Sequence, residues 1–297
     1  MTTFNKSLRK VMLLIAIGFL IFWSVAPIAW IFISSISPTV ELFSRPPHWI
    51  PYNPTLKNYM DLLVTGRGFR GATVIPAVRY FRRGLVNSLI YAVTTTLIMA
   101  IFSSITGYVF ARYNFPLKNV LFYLFIGVIP IPGWAVLITI YQIFATAGLL
   151  NTLHGMILLF ITYRLPIDTW LMKSYFESIP RDIEEAAMID GCSKLEAMFK
   201  VVMPIALPGV AAVLIVSFIS TWNAFLAPLI FTFTEEAKPL TVVISEFIGQ
   251  YYVEWDLMSA AAVIAIIPPL FFAFIFQKYL IQGLTKGAVK YLSLIHI

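Results

Sequence analysis

Few residues in this sequence are equipped for covalent chemistry, and their spacing argues against it. His48, His154 and His296 are too scattered to form a metal-ligand set, and Cys192 has no companion ligand. A lone cysteine also rules out an internal disulfide. No Gly-x-x-x-x-Gly-Lys-Ser/Thr run is present to cradle nucleotide phosphates. No His/Glu/Asp or Ser/His cluster recurs along the apolar runs. The chain is therefore expected to be non-catalytic, with no metal or cofactor of its own and no hydrolysis of ATP.

Two constellations suit binding instead. Arg164 and Asp168 stand four residues apart in an apolar stretch, so on a helix their side chains meet on one face. Each costs about 2.5–3.5 kcal/mol at the centre of a membrane helix, so neither is expected to face lipid. Two readings stay open: a polar lining for a solute pathway, or a mutual ion pair inside a bundle. Trp222 and Asn223 set an aromatic plane beside an amide, a pairing that suits sugar hydroxyls and ring faces.

The densest polar segment is 177–200, with six of the chain's 14 acidic residues and three basic ones. Pro180 suits a helix start, where its missing N–H would be unpaired anyway. Asp182, Glu184 and Glu185 follow near the positive end of the helix dipole. Gly191 can end that helix in the left-handed conformation, and Ser193-Lys194-Leu195-Glu196 matches a capping box for a second helix. Pro204 and Pro208 then lead into an apolar run. The segment predicts helix, glycine turn, helix, with Ile183, Ala186, Ala187 and Asp190 sharing a face. Paired alanines allow another surface to approach closely. The bland alternative is a solvated loop. A DNA-reading helix-turn-helix fails, because the segment is acid-rich and phosphate binding needs cations; no nucleic-acid partner is expected.

The elements that must position these groups are membrane spans. The chain is 60% hydrophobic and 12% charged, with a mean hydropathy of +0.86. A soluble domain carries about 25% charged residues, so disorder, collagen and disulfide-rich scaffolds are excluded too. A helix needs about 20 apolar residues to cross the hydrocarbon core. Residues 1–36 read as a tail and a retained first span, too long for a signal-peptide core of roughly 7–15 residues. Residues 37–84 read as an extracytoplasmic loop in which Pro38, Pro46, Pro47, Pro51 and Pro54 favour turns, with a short surface helix at 58–63. Further spans are expected at about 85–111, 119–147, 153–176, 205–233 and 257–281. They flank a loop at 177–204, and residues 282–297 form a tail. Pro130, Pro132 with Gly133, and Pro268-Pro269 predict bends in the third and sixth spans.

Six spans place both termini on one side of the membrane. Lys6, Arg9, Lys10, Arg112, Lys118, Lys173, Arg181, Lys194, Lys200, Lys278, Lys286 and Lys290 fall on that side, which marks it as cytoplasmic. Lys238 lies opposite. Arg79, Arg82 and Arg83 count against the majority. The net charge of +7 is thus spent on orientation.

Glu185-Ala186-Ala187, three residues, Gly191, nine residues, Val201 and Met203-Pro204 resemble the cytoplasmic loop of permease subunits in binding-protein-dependent ABC importers. The family favours Ile at 201 and Leu at 203. Asn87-Ser88-Leu89, Ala111-Arg112, Pro130, Gly148-Leu149-Leu150-Asn151-Thr152, Trp170-Leu171, Trp222-Asn223 and Gly283-Leu284-Thr285 with Gly287-Ala288-Val289-Lys290 extend the likeness to carbohydrate importers. The nearest type is the six-span, maltose-type subunit. The family usually ends with a glycine after that last motif, whereas Tyr291-Leu-Ser-Leu-Ile-His-Ile297 continues here, and this tail is read as a truncation or sequencing scar and is assigned no function.

The resemblance implies an all-α integral membrane protein of the type I importer permease fold, with an importer transmembrane domain over 83–281. It implies a coupling helix that docks on a separate ATPase through Glu184, Glu185, Ala186, Ala187, Asp190, Gly191 and Pro204. The implied partners are a second homologous permease, two ATPase subunits that bind ATP and Mg, an extracytoplasmic solute-binding protein and membrane lipid. The implied location is a prokaryotic cytoplasmic membrane. Glu235, Glu236, Glu246, Glu254 and Asp256 in the last outer loop are expected to help dock the binding protein. The expected cargo is a di- or oligosaccharide or a related glycerol phosphate, with Arg164, Asp168, Trp222 and Asn223 on the pathway. The competing classes are an ion-coupled secondary transporter, for which Asp168 is the one acidic residue deep in a span, and a membrane-embedded enzyme.

Overall fold

A computed structural model describes residues 2–46, 48–70, 73–249 and 252–292. Long apolar runs form helices because hydrocarbon offers no partner for backbone N–H and C=O groups, and a helix satisfies them internally. The chain opens with α1 (Thr2–Ile36), the single-turn α2 (Thr39–Leu42), and α3 (Lys57–Met60), which continues as a π-turn at Asp61–Thr65. A short antiparallel ribbon pairs β1 (Phe69–Arg70) with β2 (Thr73–Val74), Phe69 opposite Val74. Then come α4 (Pro76–Arg112), α5 (Lys118–Ile126), α6 (Gly133–Thr146) and α7 (Leu153–Ser178). The elbow consists of α8 (Arg181–Ile189) and α9 (Lys194–Ala197); a π-turn at Met198–Val202 carries α9 into α10 (Met203–Trp222). The chain continues with α11 (Leu226–Phe231), α12 (Leu240–Ser245) and α13 (Trp255–Leu292).

Among the described residues, five helical stretches are long and apolar enough to cross a membrane: Arg9–Ile36, Pro76–Arg112, Leu153–Ser178, Lys194–Trp222 and Trp255–Tyr279. The expected continuous helix at 119–147 is instead two, α5 and α6, separated by turns in which Ile129 N bonds to Ile126 O at 3.0 Å and Ile131 N to Val128 O at 3.2 Å. Pro130 and Pro132 lack the N–H that a helix would need there. The expected span at 205–233 is likewise shorter: α10 stops at Trp222, and α11 is a separate helix after a break. The outer loop expected at 37–84 gives its last residues to α4, which begins at Pro76. The tail expected from 282 remains helical to Leu292. Residues 293–297, including His296 and most of the unusual tail, lie outside the described residues.

Residues 1–82 with 243–267 form one compact unit, and 83–242 with 268–297 form another. In the first, Asn58 Nδ2 donates to Ser35 O at 3.1 Å, and the Ser35 and Tyr59 hydroxyls lie 2.6 Å apart. The Glu41 carboxylate accepts the backbone N–H groups of Tyr52 at 2.8 Å and Asn53 at 3.1 Å, closing the loop between them.

In the second unit, α4, α7 and the elbow share a core of Met99, Tyr108, Met172, Phe176, Ile179, Met198 and Val202. Gly107 is required for this approach: a Cβ there would meet Met172 Cβ at 2.7 Å and Lys173 N at 2.8 Å. At the other end, Asn87 Nδ2 donates to Glu235 O and Lys238 O, and Ser88 Oγ accepts Leu240 N–H. Asn151 sits at φ 55° and its Oδ1 accepts the N–H groups of Phe233 and Thr234. Several motif residues thus satisfy the backbone of the 231–240 connection.

Candidate functional site

The elbow is positioned by its own local signals. Pro180 (φ −55°, ψ 136°) is the N-cap of α8, and Asp182 and Glu184 occupy the first turn. Asp190 N bonds back to Ala186 O at 2.9 Å and Cys192 N to Ala187 O at 3.0 Å, with Gly191 at φ 96°. No atom lies within 4 Å of a Cβ built on Gly191, so backbone conformation alone selects glycine. Ser193 closes the capping box: its hydroxyl accepts Glu196 N–H at 3.3 Å, and Glu196 Oε2 accepts Ser193 N–H at 3.0 Å.

α8 has two chemically distinct faces. Asp182, Glu185, Ala186, Ile189 and Asp190 are exposed, Ile189 by 86%. Glu184 and Ala187 are buried, at 7% and 8%. The face shared by Ile183, Ala186, Ala187 and Asp190 in the sequence reading is therefore split, because Ala187 turns inward. Glu184 also turns inward, where its carboxylate meets α4. Tyr108 Oη donates to Glu184 Oε1, and Arg112 Nε lies 3.1 Å from Glu184 Oε2, an ionic contact without aligned hydrogen-bond geometry. Arg112 Nη2 donates to Ile179 O at 2.8 Å, while Arg181 Nη2 donates to Ala111 O at 3.2 Å. Arg181 of α8 so satisfies a carbonyl of α4, and Arg112 of α4 satisfies the carbonyl at the C-cap of α7, just before α8. Pro204, an exposed residue, lies in the first turn of α10, away from the α8 surface in sequence and helix.

Arg164 and Asp168 meet on α7, both buried. Arg164 Nε donates to Asp168 Oδ2 at 3.3 Å, Nη2 donates to Asp168 Oδ1, and Nη1 donates to Ser220 Oγ of α10 at 3.2 Å. Arg164 also lines a cavity of about 400 Å³ with Trp134, Phe160, Tyr163, Thr221 and Phe225. The buried Thr221 Oγ1 has no hydrogen-bond partner among the described residues. Trp222 and Asn223 do not line this cavity. Trp222 is buried and stacks on Phe218 at 5.9 Å, and Asn223 is the C-cap of α10. The aromatic residues at the cavity are instead Trp134, Phe160, Tyr163 and Phe225. A signal for Trp134 was present in the sequence, directly after the Pro132-Gly133 break. Tyr163 had none beyond adjacency to Arg164.

Cys192 is a free, half-buried thiol, and among the described residues no group of three or more His, Cys, Asp or Glu is placed to hold a metal ion.

Comparison with known proteins gives concordant results. Residues 103–286 match the family model described as binding-protein-dependent transport system inner membrane component. The sulfoquinovosyl glycerol transport system permease of Agrobacterium fabrum is 34% identical over 93% of this chain and 92% of its own. The trehalose transport system permease of Mycobacterium tuberculosis is 32% identical over 90% and 93%. A chain from the crystal structure of a bacterial ABC transporter involved in import of the acidic polysaccharide alginate shares the fold. It has a TM-score of 0.78 at 21% identity and covers 94% of this chain and 99% of that one.

Proposed function

The chain belongs to the inner membrane components of binding-protein-dependent transport systems, and from that premise we propose that it is a maltose-type permease importing a di- or oligosaccharide. As an ABC importer permease it works with an ATPase and a solute-binding protein. The finer assembly we infer is one copy of this chain, a second homologous permease and two ATPase subunits, which bind ATP and Mg. The sugar assignment draws on relatives whose names specify trehalose, trehalose and maltose, or sulfoquinovosyl glycerol.

In this reading the membrane domain has six crossings, with α5 and α6 counted as one interrupted crossing, and both termini are cytoplasmic. The loop at 177–204 then faces the cytoplasm and α8 is the coupling helix. The single observation that carries the reading is the outward face of α8. Glu185, Ala186, Ile189 and Asp190 stand exposed on a helix with the family spacing, closed by Gly191. Small and acidic side chains there suit a cleft with basic groups. Nucleotide shifts the bundle only through a difference in interaction between its states, and this face is where the ATPase acts. Arg164, Asp168 and the adjoining cavity lie on the solute pathway.

Co-expression with the neighbouring transport genes tests the proposal. A complex containing an ATPase and a second permease, with ATP-dependent sugar uptake in proteoliposomes, is the expected outcome. Uptake by this chain alone without nucleotide would overturn it.

A further inference from the structure

We propose that Tyr108, Arg112 and Glu184 form a latch that holds α8 rigidly to the inner end of α4, so that a push on the exposed face of α8 moves α4 as one body. This rests on α8 being the docking helix. Glu184 and Arg112 are then positioning residues rather than contacts for the ATPase.

The covalent joints of α8 are poorly suited to transmitting force. On one side Ile179 (φ −86°, ψ 126°) and Pro180 (φ −55°, ψ 136°) are extended, and Ile179 N is tied back to α7 by one bond, to Phe176 O at 3.2 Å. On the other side the chain reverses at Gly191 with φ 96°. A short helix between two such joints can swing. The latch opposes that swing from the side. Glu184 Oε1 receives the Tyr108 hydroxyl, and Glu184 Oε2 faces Arg112 Nε at 3.1 Å. The two charged side chains are only 5% and 10% exposed, for Arg112 and Glu184. Separating them would strand a carboxylate and a guanidinium where little water can replace the lost partner.

The reciprocal bonds from Arg112 to Ile179 O and from Arg181 to Ala111 O fix the same junction in two further directions. Tyr108 is itself held edge-on by Phe176, with ring centroids 5.5 Å apart at 81°, which ties the latch to α7. Three elements therefore meet at one buried carboxylate. Its neighbour Glu185 is free to face a partner, so adjacent acids of one motif divide into an internal and an external role.

The test uses the assembled transporter in nanodiscs, with Cys192→Ser and spin labels at Val109 on α4 and at Asp182, an exposed residue of the first turn of α8. The latch predicts one narrow interlabel distance, unchanged between nucleotide-free and ATP-bound states. Glu184→Gln keeps an oxygen for the Tyr108 hydroxyl but removes the charge facing Arg112; it should broaden the distribution and lower sugar uptake per ATP hydrolysed about tenfold. Tyr108→Phe removes only a hydroxyl and should broaden the distribution less, which keeps the test open should Glu184→Gln not assemble. Glu184→Asp should restore part of the coupling. A distance that shifts with ATP in the otherwise unaltered protein overturns the latch. So does a narrow distribution with full coupling in Glu184→Gln or, where that fails to assemble, in Tyr108→Phe. Failure of the docking reading shows separately, as wild-type assembly and uptake in Glu185→Lys, whatever the distances are.

Discussion

Among the described residues two buried arginine–carboxylate pairs stand out, and they do different mechanical jobs. Arg164 and Asp168 lie on a single helix, α7, four residues apart. Arg112 and Glu184 lie on two elements, α4 and α8. The ionic contact of the first pair lies within one helix, so both charges move together, and only the single bond from Arg164 Nη1 to Ser220 Oγ at 3.2 Å reaches a second element, beside the cavity. A pair across elements constrains their relative position directly. The difference teaches that burial and charge alone do not assign a role. What matters is which bodies the pair connects.

The largest expected effect follows from breaking the first pair by half. Arg164→Met leaves Asp168 buried without its cation, a change that costs about 3–5 kcal/mol. Thermal unfolding of the detergent-purified protein should show a large loss of stability. The double variant Arg164→Met/Asp168→Leu should recover most of it. With the pair on the solute pathway, the recovered double variant should fold but take up little sugar; wild-type uptake would make the pair purely structural. The same neutralisation at Arg112 and Glu184 should recover stability without recovering uptake per ATP, because the link between bodies is gone. Identical behaviour of the two double variants would erase the distinction.

The next effect sharpens the contrast within α8 itself. Glu185→Lys alters an exposed side chain and should leave folding and membrane insertion unchanged. Uptake should fall roughly tenfold or more, within the usual range of coupling between sites, while ATP hydrolysis by the complex persists. Proteoliposome assays of both rates check this. Wild-type uptake would remove the docking role from the outward face.

Much of this organisation was legible in the sequence, and the physical reason is that its strongest signals are local. Pro180, Gly191 and the Ser193–Glu196 box act through the nearest backbone, so spacing alone locates the elbow. Arg164 and Asp168 are neighbours on one helix face, so their pairing is readable as well. What escaped depends on contacts between elements. That Glu184 turns inward follows from the seat that α4 offers, where Tyr108 stands 76 residues earlier in the chain. Trp222 suggested a stacking plane, but Phe218 takes that plane one turn below. Hydropathy also merged α5 with α6, and α10 with α11, because an apolar run looks the same whether its backbone is helical or broken.

A smaller effect tests whether the elbow's shape matters beyond its charges. Gly191→Ala meets no atom within 4 Å, so its whole cost is the left-handed backbone, about 1–2 kcal/mol. Hydrogen exchange should rise across 181–200 and stay unchanged in α7. Gly191→Asn, which tolerates this conformation better, should lie between the two.

The smallest expected effect is at the cap. Ser193→Ala removes the hydroxyl that accepts Glu196 N–H at 3.3 Å and leaves the backbone bond from Ser193 N to Glu196 Oε2 at 3.0 Å in place. Loss of an N-cap costs about 1 kcal/mol, and only half of the reciprocal box is lost here. α9 runs through the π-turn into α10, so fraying should stay within its first turn. Exchange at 194–197 should therefore increase a few-fold while uptake per ATP remains at the wild-type value. A drop in coupling comparable to that of Glu184→Gln would mean that α9 carries force as well, and the division of labour between the two faces of α8 would have to extend across the turn.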